Sequence, residues 1–295
     1  MNKYIEIFLN SFGQYWGYLK QEVLISYAYK PWYENYFYWL LLVSLLVWVL
    51  EIAFPWRKNQ GKIRKDFWLD GFYMFFNFFI FNLLAFIALS NTFEQLFKDL
   101  FGIQGFQLIN IGEIPKVFQL LIFFIVTDFI QWLTHIMLHR VPFLWEFHKV
   151  HHSVREMGFA AHLRYHWVET IVYKSILYIP VALLGGFAIE DVFIVHFIAI
   201  FIGHMNHANF HATYGPLKYL LNNPVMHLWH HAFSLPESKK YGVNFGISLS
   251  IWDYIFGTSY IPKDDGEIEL GFPGIKKFPR SFLGQIVYGF SRTKK

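Results

Sequence analysis

The sequence predicts an all-α fold: an integral membrane helical bundle of about four to five membrane segments with a cytosolic histidine-rich helical cap. Three observations predict it. Of the 295 residues, 55% are hydrophobic and only 16% are charged, against roughly 25% charged in an average soluble domain. Uncharged apolar stretches recur along the chain, and most of the 14 histidines fall into two sets of the same spacing.

The composition excludes several classes of protein and of metal site. The chain carries 35 Phe, 18 Tyr and 11 Trp, whereas a disordered chain lacks the apolar surface that offsets the entropy of ordering. Cysteine is absent, which excludes disulfides, thiolate zinc sites, cysteine nucleophiles and cysteine-ligated iron–sulfur clusters. The net charge of +4 is not gathered in one basic run, so no nucleic-acid partner is predicted. Any metal must bind through nitrogen or oxygen.

Apolar stretches predict the membrane segments. A hydrocarbon core of ~30 Å needs about 20 apolar residues at ~1.5 Å of helical rise per residue. The stretch 71–93 has no charged residue and is the clearest span, and the stretch 36–54 stops at Pro55. Residues 93–112 have helix-spaced apolar positions, which predict either an interfacial helix or a packed connector. The other apolar stretches are 117–138, 171–187 and 192–205, of which the last two form either full spans or a short hairpin.

Lysine and arginine predict the orientation, because cytoplasmic loops carry an excess of both. If the first span runs inward, the inner loop 55–70 carries five basic residues and the tail after residue 211 carries ten. The outer segments carry three before residue 36 and two in 91–116. The N-terminus is therefore expected outside and the C-terminus in the cytosol, in a bacterial inner membrane or an ER-type membrane.

Ten histidines form two sets with the same pattern, an HxxxH pair followed by an HxxHH group. On a helix, residues three or four apart share a face, so the imidazoles of each group project in one direction. Each group can therefore hold a metal from one side. The first set is His135, His139, His148, His151 and His152, and the second is His207, His211, His227, His230 and His231.

These sets predict a metal centre. Burying ten imidazoles without partners would leave many unsatisfied nitrogens, each costly in a low-dielectric setting. Neutral imidazole suits iron, zinc, copper or nickel, and ten ligands exceed the about six positions of one such ion. Two ions are therefore expected to share the array. Taken singly, His162, His196 and His204 are interpreted as core or interface residues.

Local signals place the histidine groups and one buried acid. Asn223 before Pro224 resembles an N-cap followed by proline at the first helical position, which predicts a short helix carrying the last HxxHH group. Pro142 is expected to break the chain before the first HxxHH group. Asp128 lies within a predicted span. Its carboxylate is expected to orient a histidine of another helix, or else to face an internal water or a tyrosine.

At these residues the sequence resembles the fatty acid hydroxylase superfamily, which includes sterol desaturases, sterol methyl oxidases, fatty acid 2-hydroxylases, carotenoid hydroxylases and alkylglycerol monooxygenase. The resemblance covers residues 128–260. Several ordered motifs in one chain make it specific. They are the stretch 128–140 ending HIMLHR, LWEFHKVHHS (144–153), RYHWVE (164–169), NHANFH (206–211), NPVMHLWHH (223–231) and NFGISLSIWDYIFGT (244–258).

The resemblance implies an O2-dependent lipid hydroxylase or desaturase of the monooxygenase type. It implies a non-haem centre of two iron ions, which zinc can replace in isolated protein, held by the ten histidines. It also implies a lipid substrate from the bilayer, whether fatty acyl, sterol-like, ether lipid or carotenoid, and a separate cytosolic or membrane electron donor. The residues expected around the ligands are Asp128, Arg164, His166, Glu169 and Asn209.

One departure from the family pattern concerns the motif that contains Arg164, His166 and Glu169. Trp167 stands where many members have proline in Arg-x-His-Pro-x-Glu, so these three residues are also interpreted as braces of the cap. The expected domains are an N-terminal membrane region (1–116), a fatty acid hydroxylase-like catalytic domain (117–260) and a C-terminal cytosolic tail (261–295).

Other functions are kept as alternatives. A haem protein would need opposed single histidines within facing spans. A histidine-rich metal-binding protein or transporter without oxidase activity would place ionisable ligands near the bilayer midplane along a pathway. A purely structural metal site is normally closed with four ligands.

Overall fold

The computed structural model is built of helices, and the strands among its described residues form one parallel pairing of two residues each. It describes residues 2–24, 28, 31–81, 87–101, 109–173, 184–185, 189–262 and 266–291. Residues 167–173 are helical. The other α-helices are α1 (Lys3–Leu19), α2 (Tyr36–Ala53), α3 (Phe67–Phe75), α4 (Ile87–Phe101), α5 (Lys116–Arg140), α6 (Pro142–His152), α7 (Ile189–His207), α8 (Pro224–His230), α9 (Ile251–Ile255) and α10 (Phe282–Ile286).

Shorter elements connect the helices. Strand β1 (Ile109–Asn110) pairs with strand β2 (Leu184–Gly185). Two π-helical turns cover Lys20–Leu24 and Phe76–Ile80. The 3-10 turns are Trp32–Glu34, Phe159–Leu163, Gly215–Tyr219, Glu237–Lys239, Ile275–Lys277 and Gly289–Ser291.

The helix boundaries follow from capping residues and prolines. The Asn35 side chain accepts a hydrogen bond from the Phe37 amide at 2.9 Å, and α2 ends two residues before Pro55. Asn223 caps α8 by accepting from the Met226 amide at 3.0 Å, because an N-cap oxygen satisfies one of the free amides of the first turn. Pro142 begins α6. The predicted cap at Asn223 and the predicted break at Pro142 are confirmed.

The apolar helices differ in length from the predicted spans. Among the described residues, one helix, Lys116–Arg140, is long and apolar enough to cross a membrane. Within the predicted span 71–93, residues 71–81 and 87–93 are helical, and residues 82–86 lie outside the described residues, as does most of 171–187. Shorter apolar helices cover Phe37–Ala53, Phe67–Ile80 and Ile194–His207.

The C-terminal segment packs against α3 and α6. Its buried apolar side chains join Tyr73 of α3 and Val150 of α6 in one cluster. Burying apolar side chains contributes roughly 25 cal/mol per Å², which fixes this segment beside the helix that carries three histidines. The cluster residues from this segment are Phe272, Ile275, Phe278 and Tyr288.

Buried ion pairs join α3 to the segment that follows the Phe159–Leu163 turn. Asp70 is fully buried and accepts hydrogen bonds from Arg64 and, at 3.1 Å, from Arg164. Arg164 also contacts Asp66 at 3.2 Å. Buried charges are tolerated only when they are paired. These ion pairs therefore hold the start of α3 against Arg164.

Replacing Asp70 with asparagine tests this connection. The Asp70→Asn change removes the negative charge that pairs with the buried guanidinium groups of Arg64 and Arg164. We expect a loss of about 3–5 kcal/mol in the free energy of unfolding. The measurement is the unfolding transition of the detergent-solubilised protein. Glu237→Gln, which removes the exposed pair of Glu237 with Lys240, should shift the transition little. Equal shifts for both variants would contradict a special role for the buried pairs.

Candidate metal centre

Nine histidines from four helices come together in two groups. They lie in the last turns of α5, along α6, at the last residue of α7, and in and just after α8. In each group one nitrogen from every member lies within 4.8 Å of the others. The first group is His135, His139, His148, His152 and His230, and the second is His151, His207, His227 and His231.

The two groups exchange one residue relative to the order of the sequence. His230 belongs to the second set of the sequence but lies in the first group, and His151 does the reverse. The exchange occurs because α6 and α8 face each other. The ring centroids of His152 in α6 and His231, directly after α8, are 4.4 Å apart. The two groups are therefore adjacent parts of one centre.

In the first group the Nε2 atoms point toward one another. His135 Nε2 lies 3.2 Å from His148 Nε2, and His139 Nε2 lies 3.1 Å from His152 Nε2. The Nε2 atom of His230 is buried and has no hydrogen-bond partner among the described residues.

The second group has the same arrangement. His227 Nε2 lies 2.8 Å from His207 Nε2 and 3.2 Å from His231 Nε2. His151 Nε2 lies 3.3 Å from His207 Nε2. Four imidazole nitrogens thus converge on one small volume.

Backbone carbonyl groups fix the protonation of the rings. A carbonyl oxygen only accepts hydrogen bonds, so an Nδ1 atom in contact with one must carry the proton, and the Nε2 atom of a neutral ring is then a free lone pair. This applies to four rings, at distances of 2.8–3.1 Å. The pairs are His135 with Phe245, His151 with Arg164, His207 with Gly203, and His230 with Val243.

Burial keeps these rings neutral. It lowers the pKa of the His151 imidazole to about 3. Burial, together with repulsion from neighbouring imidazoles, also holds the pKa of His148, His152 and His231 well below the ordinary value. The neutral ring is the form that ligates a metal.

The donor set fits a pair of transition-metal ions. Converging Nε2 lone pairs repel one another, and a buried acceptor without a donor costs free energy. A cation between them removes both penalties, and imidazole ligands suit iron, zinc, copper and nickel. Five nitrogens in one group and four in the other are within the coordination number of one ion each.

His211 does not join either group. The HxxxH spacing placed it on one face with His207, but α7 ends at His207 and the shared helical face ends with it. The His211 ring instead packs against Trp56 at a centroid distance of 5.0 Å. Nine of the ten histidines expected as ligands thus come together, and His211 lies outside both groups.

Of the residues expected around the ligands, Glu169 and Arg164 contact histidines. Glu169 Oε2 lies 2.7 Å from His148 Nδ1, and the Arg164 carbonyl accepts from His151 Nδ1 at 3.1 Å. A partner on the second ring nitrogen fixes the orientation of a ligating imidazole.

The other three expected residues brace the backbone. Asp128 accepts from the Ser248 amide at 3.0 Å and from Trp252 Nε1 at 2.9 Å, and among the described residues none of its hydrogen bonds is to a histidine or a tyrosine. His166 Nε2 lies 2.7 Å from the Ile286 carbonyl.

Asn209 binds the backbone of the loop between α2 and α3. Its Oδ1 accepts from the Arg57 amide at 2.8 Å, and its Nδ2 donates to the Arg57 carbonyl at 3.2 Å. Asn209 and Asp128 thus bind backbone and indole groups, and their hydrogen bonds within the described part of the chain do not include a histidine ring.

Sequence reasoning missed Asp253. Its carboxylate accepts from the Phe245 amide at 2.9 Å, the Gly246 amide at 2.7 Å and Trp132 Nε1 at 3.1 Å. It thereby fixes the peptide whose carbonyl receives His135 Nδ1–H. The signal in the sequence was an acid in the last ordered motif, without a spacing that linked it to α5.

A cavity of about 190 Å³ adjoins both groups. Histidines of both groups line it together with apolar side chains such as Phe78, Ile200 and Ile247. The same wall includes His162 and His196, which the sequence analysis interpreted as core or interface residues. A substrate in this cavity would lie beside both groups in apolar surroundings.

Comparisons with known proteins show which sequences this chain is similar to. Residues 120–258 match the fatty acid hydroxylase family, which confirms the resemblance found in the motifs. An ornithine lipid hydroxylase from Rhizobium tropici is 32% identical over 179 residues, which are 60% of this chain and 52% of that protein. Human alkylglycerol monooxygenase is 33% identical over 137 residues, which are 46% of this chain and 29% of that protein.

A more distant relative has another activity in its name. A very-long-chain aldehyde decarbonylase from Oryza sativa subsp. indica is 25% identical over 148 residues, covering 47% of this chain and 22% of that protein. The chain spans about half of the length of the Rhizobium relative and less of the other two. No solved structure gives a significant match to the chain.

Replacing Glu169 with glutamine tests the role of its contact with His148. Loss of the charge on a residue that orients a ligand typically weakens metal binding, and we expect a ~10–100-fold lower affinity. The measurement is metal retention against a series of chelator concentrations. Glu146→Gln, which changes a partly exposed acid on α6 paired with Lys149, should retain metal like the unmodified protein. Equal retention by both variants would rule out the orienting role.

Proposed function

We propose that this protein is a membrane-bound lipid hydroxylase or desaturase, because residues 120–258 match the fatty acid hydroxylase family. It uses O2 and electrons from a separate donor protein to oxidise a C–H bond of a lipid. For hydroxylation, one O2, two electrons and two protons convert the C–H bond to C–OH and release one water. Desaturation removes two hydrogen atoms with the same consumption of O2, and two waters are released.

The observation that carries the proposal is the pair of histidine groups beside one cavity. The nine histidines would hold two iron ions, which bound together supply O2 activation and the removal of hydrogen from carbon. The chain's own residues hold the rings in one tautomer and exclude water with an apolar wall. The lipid C–H bond to be oxidised would lie in the cavity of about 190 Å³.

Exposed apolar side chains support a membrane location. On α2, Leu45 and Val49 are more than half exposed, and on α5 the same holds for Val117 and Phe118. Contiguous apolar surface of this kind marks a lipid or protein contact. We propose that α5 and the shorter apolar helices lie in the bilayer, with the histidine end of α5 and the C-terminus on the cytosolic side.

Metal content tests the proposal directly. The change His151→Ala/His230→Ala removes one ligand from each group, whereas His211→Ala removes a histidine that belongs to neither. After anaerobic purification in detergent and iron loading, we expect roughly two irons per chain in the unmodified protein and in His211→Ala. The double variant should lose most of the iron, because each group loses a nitrogen.

Product analysis completes the test. Iron-loaded protein, a chemical reductant and O2 should add one oxygen atom to a lipid in mixed vesicles, or remove two hydrogens, as read by mass spectrometry. The double variant should give no product. Folded protein that takes up no metal would contradict the proposal, and metal-dependent transport across vesicles without any lipid product would favour the transporter alternative.

A further inference from the structure

A second cavity, of about 150 Å³, has no histidine in its lining, and most of the charged residues that line it are basic. We propose that it binds the phosphate group of an anionic membrane phospholipid. Guanidinium groups around a small cavity favour an oxyanion, because arginine binds phosphate through parallel charge-assisted hydrogen bonds. The charged residues of the lining are Lys65, Asp66, Arg155, Arg164 and Arg280.

Arg164 is the buried part of this lining. Its side chain is only 1% exposed, and its Nη atoms bind Asp66, Asp70 and Ser153. Its Nε atom is buried and has no hydrogen-bond partner among the described residues. An unsatisfied buried donor on a cation is costly, and a ligand oxygen would satisfy it.

The other basic residues meet here without enough acids to balance them. Lys65 contacts Glu156 at 3.3 Å, and Arg155 donates to the Ile275 carbonyl at 3.1 Å. No described carboxylate pairs with Arg155 or Arg280. Bringing like charges together from distant parts of the chain is unfavourable, and a bound anion offsets that repulsion.

The surroundings of the cavity indicate a lipid as the source of the phosphate. Ile63 and Trp68 are exposed on either side of Lys65, at 57% and 75%. Leu283 and Val287 follow Arg280 and are 71% and 58% exposed. Tryptophan is enriched at membrane interfaces, and basic residues beside exposed apolar ones favour an anionic lipid surface.

The two exposed apolar segments are joined. Phe72 lies one helical turn after Trp68, and its ring packs against Phe282 at a centroid distance of 4.7 Å. The apolar run of α3 begins at Phe67, directly after the cavity residues Lys65 and Asp66. If α3 lies in the bilayer, the cavity is at the level of the lipid headgroups. This step rests on the membrane location in the proposed function.

Lipid binding to the detergent-solubilised full chain tests the assignment. The probes are phosphatidylglycerol, phosphatidylcholine of the same chain length, and inorganic phosphate, each titrated while the unfolding temperature is followed. We expect phosphatidylglycerol to bind at least about tenfold more tightly than phosphatidylcholine. Arg155→Gln/Arg280→Gln should lose at least about tenfold of that affinity, as expected when charge-assisted hydrogen bonds are removed.

The matched control is Lys276→Gln/Lys277→Gln. It removes the same two charges from exposed residues close to Arg280 that do not line the cavity, and its affinity should change by less than about threefold. Equal losses in the two double variants would overturn the site in favour of diffuse electrostatic attraction. Arg280→Gln alone, at an exposed position, provides the comparison if the Arg155 change prevents folding.

Three further outcomes are decisive. If inorganic phosphate alone produces the full effect and phosphatidylglycerol adds nothing, the site takes free phosphate and the lipid assignment is wrong. Iron is measured in the same samples. Protein that binds no iron but still prefers phosphatidylglycerol would contradict the proposed function while supporting this inference, and iron-loaded protein without any lipid preference would do the opposite.

Discussion

The rest of the site depends on the hydrogen bond from histidine Nδ1 to a backbone carbonyl. Where this bond forms, the proton is fixed on one side of the ring and the Nε2 lone pair on the other. The carbonyls belong to Val243 and Phe245 in one segment, to Arg164 in a second, and to Gly203 in the helix that carries His207. The orientation of the imidazoles is therefore a property of the packed backbone, and each segment has to be held in place by other groups.

Buried carboxylates hold two of these segments, the one that contains Phe245 and the one that contains Arg164. Asp253 binds the amides of Phe245 and Gly246, and Asp128 binds the turn that follows. Asp70 has the corresponding role for Arg164, whose carbonyl orients His151. A carboxylate that accepts several hydrogen bonds is tolerated in the interior because each bond compensates part of the cost of burying its charge. The acids therefore support the histidines indirectly, through the backbone groups that contact the imidazole rings.

The same arginine connects the histidine centre with the basic cavity. The backbone of Arg164 faces His151, and its guanidinium lines the cavity on the cap. The two sites therefore share Arg164 but differ in chemistry. The histidine centre offers the lone pairs of neutral imidazoles, whereas the basic cavity offers hydrogen-bond donors on cationic side chains.

The sequence by itself determined the helical class, the histidine sets, the cap at Asn223 and the break at Pro142, because helical periodicity and capping are local properties. It also indicated the resemblance to the fatty acid hydroxylase family that residues 120–258 match, because the motifs keep their order along the chain. Only the tertiary structure decided that His151 and His230 exchange groups, that His211 is excluded, and that Asp253 supports His135. These outcomes depend on where helices end and how they face one another, and residue spacing does not specify contacts between distant segments.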